Sequence, residues 1–199
     1  SIIAVFYMPD VIIQQLETIG VMDIFEAVIP LIISVFVCMS CTTSASLSLE
    51  GRSRWIMYSA PVKTITVFKA KIFVNLTVVL PILWISLILL RITFSLTMVQ
   101  TILLFVTPTI YALFISAVGM LFNVKYPRFD WTSEYYAIKG GAISVLATIG
   151  VGLALSAIPV YFCVLSREYA QQIVISMTVV IAVLTLIAYR MLSKIRLYM

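Results

Sequence analysis

Long apolar stretches alternate with short polar ones along the whole chain. Uncharged runs cover residues 28–47, 72–90, 97–122, 142–165 and 171–189. Each reaches the roughly 20 residues that carry a helix across about 30 Å of hydrocarbon. A membrane-spanning strand needs only about 9–11 residues of alternating character, and these runs are longer and apolar on every side. The pattern predicts five transmembrane helices. The outer connections, 91–96 and 166–170, are so short that neighbouring helices must run antiparallel and pack closely.

The basic residues are distributed very unevenly between the connections. Arg52, Arg54, Lys63, Lys69 and Lys71 lie in 48–71; Lys125, Arg128 and Lys139 lie in 123–141; Arg190, Lys194 and Arg196 follow the last run. Only Arg91 and Arg167 fall on the other side, and no basic residue precedes Val28. Cytoplasmic loops carry the excess of Lys and Arg, so the loops 48–71 and 123–141 and the C-terminus are expected in the cytoplasm. Together these features describe a multi-pass membrane protein. Residues 1–8 form an apolar run closed by Pro9-Asp10. They read as the outer end of a further span whose start lies upstream; a short interfacial segment is the alternative. The expected architecture is an all-α, polytopic transmembrane helical bundle: five full spans plus the end of a truncated sixth, in one membrane domain over residues 1–199.

Composition sharpens this picture by exclusion. The 199 residues are 63% hydrophobic and 11% charged, whereas a soluble domain is about 45–50% apolar and about 25% charged. With no histidine there is no imidazole base, no Ser-His or Cys-His pair and no His-ligated metal. Cys38 and Cys41 form a CxxC pair, but only Cys163 joins them, too few ligands for a closed zinc site. No metal and no catalytic set is expected. The five runs contain no Asp, Glu, Lys or Arg, and intramembrane ionisable groups are what proton and ion paths are built from. A large or amphipathic cargo moving between helices suits such spans better than a small ion does.

Candidate chemistry is confined to a few positions. Ser40, Thr42, Thr43, Ser44 and Ser46 cluster toward the cytoplasmic end of the first run. Small hydroxylated residues let helices approach and bond across the interface; the same group, with Asn75 of the second run, could also line a polar path. In 48–71, Val62, Ile65, Phe68 and Ile72 recur at helical spacing, giving a short amphipathic helix with Pro61 in its first turn. That helix suits either the headgroup layer or a docking contact with a partner protein. In 123–141, Tyr126, Phe129, Trp131, Tyr135 and Tyr136 alternate with Lys125, Arg128 and Lys139. Between two spans this reads as an interfacial aromatic belt rather than a nucleic-acid platform, and no nucleic-acid partner is expected. Pro30, Pro81, Pro108 and Pro159 lie inside the runs, where they kink a helix or depend on a neighbour to satisfy freed carbonyls.

The order Glu50, Gly51, Trp55, Pro61 and Lys71 ahead of an apolar run resembles the first cytoplasmic loop of type-2 ATP-binding-cassette exporter permeases. The stretch 48–61, Ser-Leu-Glu-Gly-Arg-Ser-Arg-Trp-Ile-Met-Tyr-Ser-Ala-Pro, is similar to the signature of a bacterial ABC exporter family. The second loop resembles the same family through Asn123, Pro127, Asp130, Trp131 and Glu134, and Asn75 and Pro81 fit its pattern in the second span. Ser133 and Lys139-Gly140-Gly141 depart from it. The resemblance covers residues 28 to the end and implies the C-terminal part of a longer permease of a bacterial cytoplasmic membrane. It implies an ATP-driven exporter working with a cytoplasmic ATPase subunit as a permease dimer or pseudo-dimer, surrounded by membrane lipid. The first loop would then be the ATPase-coupling element. The seven glycines never form G-x-x-x-x-G-K-[ST], the loop that cradles nucleotide phosphates. ATP is therefore expected on the partner, and the chain itself is expected to be neither an enzyme nor a cofactor carrier. A non-transport polytopic membrane protein, such as an assembly or immunity factor, is the alternative.

Overall fold

A computed structural model of the chain describes residues 22–53, 55, 59, 63–94, 96–129 and 143–195. They form helices α1 (Met22–Met39) and α2 (Thr43–Ser46), a 3₁₀ turn at Ser48–Ser53, and helices α3 (Thr64–Thr93) and α4 (Met98–Lys125). Helix α5 (Ile143–Leu165), a 3₁₀ turn at Arg167–Tyr169 and α6 (Ala170–Lys194) complete the order. The described residues contain no strand. Five helical segments are long and apolar enough to cross a membrane. The protein is a multi-pass helical bundle.

α4 is the axis of the bundle, packing against α1, α3, α5 and α6. Its core side chains, Leu104, Tyr111, Ile115 and Met120, are almost wholly buried. The outward faces are as apolar as the interior: Ile82, Ile85, Leu146, Phe162, Val179 and Leu186 are all exposed. This is the arrangement required when the solvent is lipid, because helices satisfy their backbone groups internally and can present apolar side chains outward. Several buried hydroxyls bond a carbonyl one turn back, as Ser156 does to Gly152 (2.7 Å) and Thr148 to Ser144 (2.6 Å). Thr107 and Thr178 instead bond each other across α4 and α6 at 2.8 Å.

Side-chain contacts establish which helix ends lie together. Lys71 near the start of α3 reaches Ser46 and Glu50; Asn123 near the end of α4 reaches Ser48 and Ser144; Lys69 lies over the Tyr189 ring. Lys63, Lys69, Lys71, Lys125, Arg190 and Lys194 therefore share one end of the bundle. Arg91 and Arg167 sit at the other, where Gln100 donates to Glu26 (3.3 Å) and a Thr97–Gln100 capping box starts α4.

Two of the expected spans differ in kind from their helices. The first run is not one helix: α1 ends at Met39, and residues 40–42 leave the helical path before α2 begins. Serines and threonines offer the backbone competing bonds, and five of them crowd this stretch. The second run begins earlier than 72: α3 is continuous from Thr64, so residues 64–71 extend a span and belong to no separate surface helix. Its stripe of Ile65, Phe68 and Ile72 packs on Met120 and Leu192 of the same chain. That apolar face is spent inside the bundle rather than on headgroups or a partner. The loop 48–71 is shortened accordingly, and the last three helices extend a few residues beyond or start close to the limits expected for them. The helical turns added there carry Lys125, Arg190 and Lys194, charges that end an apolar run without ending a helix.

Candidate functional site

The break after α1 is fastened to two other spans by two asparagines. Asn75 sits mid-turn on α3 and is buried. Its Oδ1 accepts from the Thr42 backbone N–H at 3.0 Å and from the Thr42 hydroxyl at 2.7 Å. Its Nδ2 donates to Ser116 Oγ on α4 at 2.7 Å, and Ser116 in turn donates to Ala112 O at 2.7 Å. Asn75 thus ties three segments through one amide.

Asn123, about two helical turns beyond Ser116 on α4, repeats the device. Its Oδ1 accepts from the Leu47 and Ser48 N–H groups at 2.6 and 3.2 Å. Its Nδ2 donates to Ser48 Oγ at 2.8 Å and approaches Ser144 Oγ of α5 at 3.5 Å. These amides supply what a broken helix lacks, since N–H groups at a helix start have no partner within the helix. The Ser48 hydroxyl also accepts from the Arg128 N–H at 3.0 Å, drawing the second loop to the first.

The hydroxyl cluster divides between these two roles. Thr43 and Ser44 are buried, donating to Ser116 O (2.8 Å) and Cys41 O (2.9 Å). Ser46 donates to Thr43 O at 3.1 Å. Ser40 is exposed and donates to Phe36 O at 3.3 Å. Among the described residues no buried side-chain oxygen or nitrogen lacks a partner. The close approach depends on Gly119, where a Cβ would fall 2.7 Å from Cys41 Sγ, 2.8 Å from Thr43 Oγ1 and 3.1 Å from the Ser44 nitrogen.

Beyond the break the chain turns at Gly51, whose φ of 48° and ψ of −120° match the first central residue of a type II′ turn. A side chain is disfavoured there. Lys71 holds this turn from α3, donating to Glu50 Oε1 at 2.6 Å and Ser46 O at 3.0 Å. Trp55 follows, 65% exposed. Of the residues the motifs singled out, Glu50, Gly51, Lys71, Asn75 and Asn123 therefore meet at one clamp. Pro127 is exposed beyond it. Pro61, Asp130, Trp131 and Glu134 lie outside the described residues, as do residues 1–8.

A cleft of about 1190 Å³ runs between α1 and α3. Its walls are apolar, including Phe25, Ile29, Ile33, Val78 and Ile82, and at the basic end its floor is Ser40, Thr42 and Asn75. Sequence reasoning placed Asn75 and Thr42 in one group, for helix packing or a polar path, without foreseeing the bonds between them. It missed Ser48, Ser116, Gly119 and Ser144 as parts of the clamp. Comparison with known protein families, characterised proteins and solved structures finds no match.

Proposed function

We propose that this chain is the membrane-spanning permease part of an ATP-driven exporter, moving an amphipathic cargo with energy from a separate cytoplasmic ATPase. The observation that carries this reading is the clamp. The segment from Ser40 to Ser53 is joined to α3 by Asn75 and Lys71 and to α4 by Asn123, with Ser144 of α5 alongside. A force applied to the turn is delivered to several spans at once. Movement of Trp55 or Glu50 by a partner would pull on the α1–α3 cleft, whose floor is made of the same residues.

The resemblance of the two loop motifs to exporter permeases supplies the identity of the partner, and the chain's lack of a phosphate-cradling loop is consistent with ATP bound elsewhere. The cleft fits an amphipathic cargo because apolar walls meet a hydroxyl and amide floor without a charge. Trp55 is the anchor we assign to the ATPase contact. Exposed tryptophans are frequent energetic centres of interfaces, where truncation costs about 2 kcal/mol or more.

The test is co-purification of an ATPase with the protein from its native membrane, using wild type and Trp55→Ala. The substitution lies outside every span and leaves the clamp bonds untouched. Loss of most of the recovered ATPase supports the proposal. Equal recovery from both proteins removes Trp55 from the interface, and absence of any ATPase from the wild-type complex overturns the exporter reading.

A further inference from the structure

A second groove, of about 590 Å³, opens between α4 and α6 toward the basic end of the bundle. Phe114, Val118 and Leu121 form one wall, and Leu184, Ala188 and Met191 the other. The two helices are joined further out by the Thr107–Thr178 bond at 2.8 Å. The groove lies between that bond and the basic ends of the two helices.

Its length and its charge point to one occupant. From Phe114 to Lys125 is eleven residues, about 16 Å at 1.5 Å per residue, which is half of the roughly 30 Å hydrocarbon core. The groove is therefore one leaflet deep. A partner helix would need a complementary surface over the full thickness, whereas an acyl chain needs one leaflet. At the mouth stands Lys125, the last residue of α4, exposed and with its ammonium 5.4 Å from the Tyr126 ring centroid. Among the described residues the ion pair present is Lys71–Glu50, and no carboxylate pairs with Lys125. Lys194, also exposed, ends α6 one turn beyond Met191. An apolar slot with the Lys125 ammonium at its mouth complements a lipid with a net negative head.

We infer that this groove binds an anionic phospholipid, one acyl chain lying between α4 and α6 and the phosphate meeting Lys125. The inference requires the chain to span a membrane and does not depend on the exporter reading. Ala188 is the position that keeps the slot open, since its side chain is small and buried between Leu184 and Met191.

Native mass spectrometry of the full chain, released from detergent with equal phosphatidylglycerol and phosphatidylcholine of identical acyl chains, tests this. Retention of phosphatidylglycerol is expected to exceed that of phosphatidylcholine about fivefold, the preference one lysine confers at a membrane surface. Lys125→Gln should bring the ratio close to one without lowering phosphatidylcholine retention. Ala188→Phe should lower retention of both lipids, and Val118→Phe fills the slot from the opposite wall should the first variant misfold. Equal retention of the two lipids by wild type, or an unchanged preference in Lys125→Gln, overturns the site. So does displacement of the lipid by glycerol phosphate without acyl chains at the same concentration, which would place recognition in the headgroup alone.

Discussion

The phenol of Tyr111 donates to the carbonyl of Leu155 at 2.8 Å, the carbonyl that Pro159 leaves without its helical donor. Proline has no N–H to offer the residue four positions earlier, and in hydrocarbon no water can replace it. α4 thus completes the hydrogen bonding of α5. The ring is fully buried at the centre of the bundle, so this bond is available only when the two helices are docked.

Tyr111→Phe is expected to destabilise the bundle by about 0.6 kcal/mol, the average for side-chain bonds between membrane helices, and by no more than about 1.7 kcal/mol, their maximum. The decisive measurement is a double-mutant cycle with Pro159→Ala. Restoring the N–H at position 159 gives Leu155 an internal donor, so Tyr111→Phe should cost measurably less in that background. Equal costs in both backgrounds, read by unfolding in mixed micelles, would show that the phenol does not serve this carbonyl.

Asn123→Ala removes the acceptor shared by the Leu47 and Ser48 N–H groups. Each buried donor left unpaired costs about 1–3 kcal/mol, and part of this is recoverable if water enters from the basic end. Thermal unfolding should fall, and amide exchange should rise at Leu47 and Ser48 well before it rises in α4. Unchanged exchange at these two amides would mean the turn is held by Lys71 alone.

The five spans are legible because an uninterrupted apolar run of membrane length admits few other structures. The clamp is less so. A hydropathy average over residues 28–47 absorbs six hydroxylated side chains without falling to a loop value, so the helix break at Ser40 stays hidden. Asn75, Ser116 and Asn123 stand on two different helices, and only packing brings them to the break. Lys69 and Lys71 mark residues 64–71 as loop by charge, although Ile65, Phe68 and Ile72 already carry a helical spacing that continues into the span. One signal was present and unused: Ser144, Thr148, Gly152 and Ser156 recur every four residues and all are buried. A stripe of small residues at that spacing marks a close helix contact, here with α1 at Cys38 and α4 at Ile115.

Two glycines of the spans should respond in opposite ways to alanine. At Gly119 the new methyl meets Cys41, Thr43 and the Ser44 backbone within 3.1 Å. Overpacking of this kind costs about 1–3 kcal/mol, and the helix-propensity gain of about 1 kcal/mol offsets only part of it. At Gly150 nothing lies within 4 Å, leaving that gain unopposed. Gly119→Ala should therefore unfold at lower temperature than wild type, and Gly150→Ala at the same or a higher one. The reverse order would show that α2 does not lie against α4 at this point.

The orientation of the bundle follows from the charge at its two ends. Lys63, Lys69, Lys71, Lys125, Arg190 and Lys194 gather at one end, against Arg91 and Arg167 at the other. Retention of Lys and Arg on the cytoplasmic side predicts that the clamp faces the cytoplasm. Lys63, Arg167 and Lys194 are all exposed, so each can carry a single cysteine once Cys38, Cys41 and Cys163 are replaced by alanine or serine. A membrane-impermeant maleimide applied to intact cells should label Arg167→Cys at once. Lys63→Cys and Lys194→Cys should react only after the membrane is opened. Labelling of the two lysine positions in intact cells, with Arg167→Cys protected, would invert the topology and put the clamp and Trp55 out of reach of any cytoplasmic ATPase.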